Sequence, residues 1–565
     1  MATVTKGLPP ENGMPKTRVA TWLVLASVTA VTACAPENAT CAETCGTVVV
    51  DIGGAPETLL PVLHTSADAL AIGSLMFLPL AEIGNDLNFV GDEGFQPRIA
   101  RSWTFEDSVT IVFELDPRAR WQDGRLVTAR DVEFTYDLYR DPVINSNEAV
   151  DLRSISAVTA RDEHTVAFTF THPYPEQFYD VTYHKYIHPA HLLDTIPRAS
   201  LRSHPMTRSP IGNGPYRFRR WDANQTVELV ADTTFFLGRP GPARIVVQVV
   251  PDQNTIVTQL LAEEADFAIQ IPPPSVDRVR QARHLNPVGY PSTAYFFVGF
   301  NFRDPDELSR PHPIFQYRYI REALSLAVDR ETIAQVTFGE FAGVPSGPIS
   351  QANPLWNLDI PKIPYDTTRA RRLLAAQGWS DSDGDGILDR GGRPLAFELI
   401  VPNSSPSRRQ AAIIMEEQLR RIGVEMHIRE LEPVSHTQRS QRGLFDATFF
   451  GWAQDPKPLG SISGTWGSEG ANNYGKYSNP RFDSLLAATS RGTDAEQIRQ
   501  TWMEALRVIQ SDWPAIWMLA PFQVSAVHTR LENVFVRPDQ NWGATIWQWR
   551  VRPDQMLPRD RMGIR

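Results

Sequence analysis

Lysine and cysteine are nearly missing from this chain. Only six of its 55 basic residues are Lys, a bias that reads as genome composition rather than chemistry. The three cysteines, Cys34, Cys41 and Cys45, all fall within the first 45 residues. No thiol is therefore available downstream as a nucleophile, and two thiols alone make a poor zinc site. Hydrolase, nucleotide-binding and zinc-protease signatures are absent: there is no G-x-S-x-G, no Walker A and no H-E-x-x-H. Beyond the N-terminus no uninterrupted apolar run reaches the 18 residues of a membrane span. There is no short-period repeat, which excludes a solenoid. Positive charge is not in excess: the formal net charge is −10, which argues against nucleic acid as a partner.

What is present is a long chain of globular composition, 565 residues with 42% hydrophobic and 21% charged residues, enough for two or three domains. Near the N-terminus, Lys16 and Arg18 precede a 13-residue apolar stretch, 21–33, that is too short to span a bilayer. The stretch ends Val31-Thr32-Ala33-Cys34, which resembles a bacterial lipobox. Residues 1–33 thus read as a signal peptide, with Met14 as a possible true start. Residues 34–46 read as a tether lipidated at Cys34. Cys41 and Cys45, in an oxidising exported setting, are left for a small disulfide loop or a metal clip.

Further on, β-branched runs at 47–52, 109–115, 165–170, 227–230 and 245–250 predict strands. Apolar periodicity predicts helices over 69–82, 254–262, 319–334, 369–377, 407–422 and 494–511. Thr128 with Asp131 three residues later predicts a capped helix start. The breaker cluster Pro210-Ile211-Gly212-Asn213-Gly214-Pro215 marks a crossing between domains, its glycines supplying backbone freedom. Strands and helices intersperse, so the class is α/β.

Five segments, in order, carry a resemblance. They are Trp121-x-Asp123-Gly124-x-x-Val127-Thr128-Ala129-x-Asp131-Val132-x-Phe134; Gly212-Asn213-Gly214-Pro215-Tyr216; Phe300-Asn301 followed by residues 320–330; Ala370 to Leu374 with Gly378-Trp379 and Asp383-Gly384-Asp385-Gly386; and Phe449-Phe450-Gly451-Trp452 with Asn479-Pro480. Together, from about residue 47 to the C-terminus, they resemble the family 5 extracellular solute-binding proteins, the peptide- and nickel-binding class of ABC importers.

The resemblance implies a two-lobed, class II periplasmic-binding-protein-like α/β fold with an additional domain. Its expected spans are 47–85, 206–294 and 516–565 for a discontinuous first domain, 86–205 for the extra domain and 295–515 for the third. It implies a monomeric lipoprotein at the periplasm or cell surface that captures peptides between its lobes and delivers them to permease subunits, without catalysis or cofactor. The alternatives are another solute (an oligosaccharide, an opine-like conjugate or a nickel chelate) or an exported enzyme or signalling lipoprotein on the same fold.

Peptide-binding relatives place an Asp three residues after a Trp to pair with the ligand's ammonium. Asp455 has that spacing from Trp452, and Gly451, Trp452 and Ala453 form an extended segment able to pair with a peptide backbone. The competing reading is an Asp-Pro turn, with Lys457 close behind. Asp381, Asp383, Asp385 and Asp389 resemble a calcium loop, but Gly392 stands where the last acid belongs, so an acidic surface turn is favoured and no metal is assigned. His184, His188 and His191 have metal-like spacing, interrupted by Pro189.

Overall fold

The computed structural model describes residues 44–561. Along the chain the strands used below are β1 (Thr47–Ile52), β2 (Ala100–Asp107), β3 (Thr110–Leu115), β4 (Ile155–Ala160), β5 (Thr165–Phe170), β6 (Tyr216–Asp222), β7 (Thr226–Ala231), β8 (Arg244–Val249), β9 (Phe267–Ala268), β10 (Leu285–Pro291), β11 (Ala294–Phe300), β12 (Ala396–Pro402), β13 (Glu425–Leu431), β14 (Ala447–Ala453) and β15 (Ala515–His528). All six residues of β1 are buried, as expected of a β-branched run flanked by parallel neighbours, here β8 and β9. A twelve-stranded sheet runs in the order β13-β12-β14-β11-β15-β9-β1-β8-β7-β6, with β10 and the short strand Ala342–Gly343 also paired to β15. A separate antiparallel sheet has the order β2-β3-β5-β4. Together they form a two-lobed α/β fold.

β15 is the spine of the molecule. Its first part pairs with β11 and its last part with β9 and β10. One core gathers around β1, the four-stranded sheet and the helix Ala129–Arg140. Another gathers around the helices Arg318–Ala327 and Pro406–Arg420 with β12 and β14. The predicted Thr128–Asp131 capping box starts the helix Ala129–Arg140.

Three local expectations are corrected. The helix expected over 69–82 stops at Gly73, because the carbonyls of Leu75 and Met76 are taken by the N–H groups of Tyr216, Asn213 and Gly214. In the same contact, a Cβ on Gly212 would lie 1.9 Å from the Met76 carbonyl oxygen. The breaker cluster therefore serves close backbone approach, and neither Gly212 nor Gly214 has positive φ. The single helix expected over 319–334 is two, Arg318–Ala327 and Arg330–Phe338. Val328 is extended and the Asp329 side chain caps the second helix, accepting from Thr332 N at 3.1 Å. Finally, Cys45 belongs to the folded body. Its N–H donates to Gly241 O at 2.8 Å, and its sulfur is disulfide-bonded.

Candidate functional site

β14 carries the predicted segment. It pairs antiparallel with β11 from Ala447 to Ala453, whereas β12 reaches it only at Ala447 and Thr448. From Phe449 onward, the side facing away from β11 has no strand partner among the described residues. Gly451 is fixed by packing: a Cβ there would lie 2.2 Å from the Phe296 ring. Trp452 is half-buried and packs on Phe450 and Tyr474, with ring centroids 5.2 and 6.0 Å away. Ala453 is exposed at the strand's end.

The next residues form a braced loop. Gln454 is buried; its Oε1 accepts from Ser350 N at 2.7 Å and its Nε2 donates to Pro348 O at 2.8 Å. Pro456 O accepts from Asn353 Nδ2 at 3.1 Å. Between these anchors Asp455 makes no hydrogen bond or ion pair with any described residue, and solvent reaches it. Its carboxyl is nevertheless held above the usual range, first by desolvation and then by the charges of Asp151 and Glu148. It lies in a crevice whose facing wall is acidic.

That wall is a network. Lys185, fully buried, donates to Glu148 at 2.7 Å, to Asp151 at 3.2 Å and to Tyr183 O at 3.0 Å. Lys457 crosses from the loop to donate to Asp180 at 2.7 Å and Asp151 at 2.9 Å. Burial pushes Asp180 up to about 6 and Glu176 up to about 7. Counting Asp455, five carboxylates (Glu148, Asp151, Glu176, Asp180, Asp455) meet two ammonium groups, so the crevice has an excess of negative charge suited to a cation. His184 borders it with φ 58, ring-stacked on Tyr183 at 3.7 Å, its Nε2 lying 3.8 Å from Asp539. His64 lies 3.7 Å from Glu148, and burial lowers its pKa.

Arg408 is the residue that sequence reasoning missed. It lies in the first turn of the helix Pro406–Arg420, and its guanidinium sits 5.1 Å over the Phe296 ring, the ring registered with Gly451. It has no acid partner among the described residues, and its Nε is buried without a hydrogen bond. A signal was available: cations in a helix's first turn oppose the macrodipole, and this turn has Arg408 and Arg409 but no acid.

The other candidates fall elsewhere. His188 is fully buried against Phe77, its pKa pushed down to about 3 by desolvation. His191 pairs with Asp123 at 2.7 Å. The three histidines therefore do not converge. Asp381, Asp383 and Asp385 do converge, with ligand atoms within 4.8 Å of one another, but all are exposed. Asp381 accepts from the backbone N–H groups of Gly384 and Gly386. Asp389 is taken up by Ser382, at 2.9 and 2.6 Å, outside that group. Cys34 and the signal segment lie outside the described residues.

Residues 94–474 match the family model of bacterial extracellular solute-binding proteins, family 5 Middle. The oligopeptide-binding protein AppA of Bacillus subtilis is 27% identical over 430 residues, covering 75% of this chain and 77% of that protein. Its structure in complex with a nonapeptide aligns with a TM-score of 0.64 at 24% identity, over 90% of this chain and 99% of that one. The substrate-binding protein CtaP of Listeria monocytogenes aligns with a TM-score of 0.76 at 21% identity, over 90% and 99%. NikZ of Campylobacter jejuni, in complex with Ni(L-His), aligns with a TM-score of 0.66 at 21% identity, over 89% and 99%.

Proposed function

Because the chain belongs to the bacterial extracellular solute-binding proteins of family 5, whose members are exported binding proteins rather than enzymes, we propose that it is the peptide receptor of an ABC importer. In this reading it is a monomer, held to the membrane by a lipid on Cys34, that delivers its cargo to permease subunits. We assign 47–85, 206–294 and 516–565, together with 86–205, to one lobe and 295–515 to the other.

The observation that carries the reading is Asp455, a carboxylate without a hydrogen-bond or ion-pair partner among the described residues, just past a strand whose outer edge none of them pairs from Phe449 onward. An extended peptide adds to that edge through its backbone, with its ammonium at Asp455. Gly451, Trp452 and Ala453 present the strand, and the guanidinium of Arg408, which has no acid partner among the described residues, offers a counter-charge for a carboxylate.

Native mass spectrometry of protein purified from cells identifies the retained ligand; a nickel chelate or a sugar there overturns the peptide reading. The free-amine and N-acetylated forms of that peptide are then titrated calorimetrically into wild type and Asp455→Ala. Truncating one partner of a desolvated charge pair costs roughly 2–5 kcal/mol, about 30- to several-thousand-fold in affinity. The loss is expected for the free amine and not for the acetylated form; a coupling energy near zero makes Asp455 a turn residue. For the anchor, Cys34→Ala should release the protein from the membrane fraction, and unchanged retention with normal processing would remove the lipid from the account.

A further inference from the structure

The acidic wall holds a cation site that is filled by the protein itself. Asp180 is 4% exposed and has two polar partners, the Tyr174 hydroxyl at 3.0 Å and the Lys457 ammonium at 2.7 Å. Asp151 lies 2.9 Å from the same ammonium, and the Tyr179 ring faces it at 5.7 Å. Glu176 is buried behind them. Three carboxylates and an aromatic face make a receptacle for one alkylammonium group. Everything that forms it lies between 151 and 180, whereas its occupant comes from the loop after β14. Pro456 and Pro458 flank Lys457 and restrict its backbone, and Asn353 holds the Pro456 carbonyl. The plug is therefore presented by a stiff arm.

We propose that Lys457 is a closure latch, a cation that one lobe inserts into the acidic receptacle of the other, so that the crevice is held shut by a charge pair the ligand does not touch. The proposal rests on the two-lobed fold and not on the ligand being a peptide. Separating the lobes withdraws Lys457. Asp180 then keeps only the Tyr174 hydroxyl, next to Asp151 and Glu176, and closing relieves that repulsion. Lys185 cannot substitute, because it is committed to Glu148, Asp151 and the Tyr183 carbonyl. Two residues upstream, Asp455 faces the ligand space from the same loop. One loop thus reads the ligand with a carboxylate and grips the opposite lobe with an ammonium.

The test is small-angle scattering on protein stripped of its co-purified ligand by unfolding and refolding. Lys457→Met keeps the stem and removes the charge, and it should show a larger radius of gyration than wild type. Asp180→Asn, which alters the receptacle instead of the plug, should expand the protein in the same direction. In Lys457→Ala, ethylammonium chloride should leave the protein as expanded as sodium chloride at equal ionic strength does, because a free cation fills the receptacle without tying it to the loop. Release of the co-purified ligand, followed by native mass spectrometry after dilution, should be about tenfold or more faster in Lys457→Met. Equal radii for stripped wild type and Lys457→Met overturn the latch. A radius that shrinks in Lys457→Ala with either salt also overturns it, because relief of repulsion by a free cation would then close the lobes without a tether.

Discussion

Asp51 lies near the end of β1 on the same face as Val49, in a cluster with Val246, Ile256, Val257, Leu260 and Ala268. It is 1% exposed, and neither carboxylate oxygen has a hydrogen-bond partner among the described residues. Burial, then the charges of Asp266 and Glu264, push it up to about 7. An unfolded Asp titrates near ~3.9, so the folded state favours the neutral form. The resulting stability is fully present below about pH 4 and is lost as pH rises through about 7. Asp51→Asn removes the ionisation while keeping the shape. Its melting temperature relative to wild type should therefore climb between pH 5 and pH 8, and parallel curves for the two proteins would contradict the assignment. Nothing in Val48-Val49-Val50-Asp51-Ile52 announces this, because a lone acid in a strand is indistinguishable in sequence from one facing water. Asp455 stood out in the sequence only as a candidate, by its spacing from Trp452. Lys457 was legible only as a charge, since its acceptors lie 277 and 306 positions away in sequence.

Among elements, β14 shows what a local pattern contains and what it omits. The extended segment expected at Gly451–Ala453 is the end of a strand that starts at Ala447, and the strand runs on to Ala453 because β11 pairs with all seven residues. That Gly451 must be glycine follows from Phe296 across the ladder, a contact with no trace in the local sequence. Gly451→Ala should push the Phe296 ring from beneath Arg408, at the roughly 1–3 kcal/mol typical of overpacking. In a Phe296→Ala background the same change should cost little, so a double-mutant cycle in thermal unfolding should show strong coupling; additive effects would mean that the ring yields freely. The helix expected over 319–334 fails for a related reason. Residues 320–327 are all buried, so periodicity carried the pattern past Val328. The Asp329 cap, which turns the chain into a new helix, was visible only as one polar residue among several.

At the scale of the whole molecule, order of segments identified the fold, and the breaker cluster falls beside the assigned boundary between 86–205 and 206–294. The cluster 210–215 packs within one body against Met76, while the assigned lobes are joined through β10 to β11 and through β15. Pairing is interrupted there. Pro291 opposes Phe522 and Phe296 opposes Leu519, so four residues, 292–295, face two, 520–521. Across that mismatch, which has prolines at 291 and 521, Ser292 N–H donates to Pro521 O at 3.3 Å, while 520–521 pair with Ala342–Gly343 instead; bending at this irregular stretch would move β14 and its loop against the acidic wall. Ligand binding should therefore close the lobes about this crossing. Scattering from protein stripped of ligand and then saturated with the peptide recovered from cells should show a fall in radius of gyration. Lys457→Met should show a larger fall than wild type, because its unliganded state starts more open while its liganded state is still drawn shut by the peptide. An identical profile before and after saturation in both proteins would mean that the crossing does not bend, and the interlobe ion pairs would then be static packing.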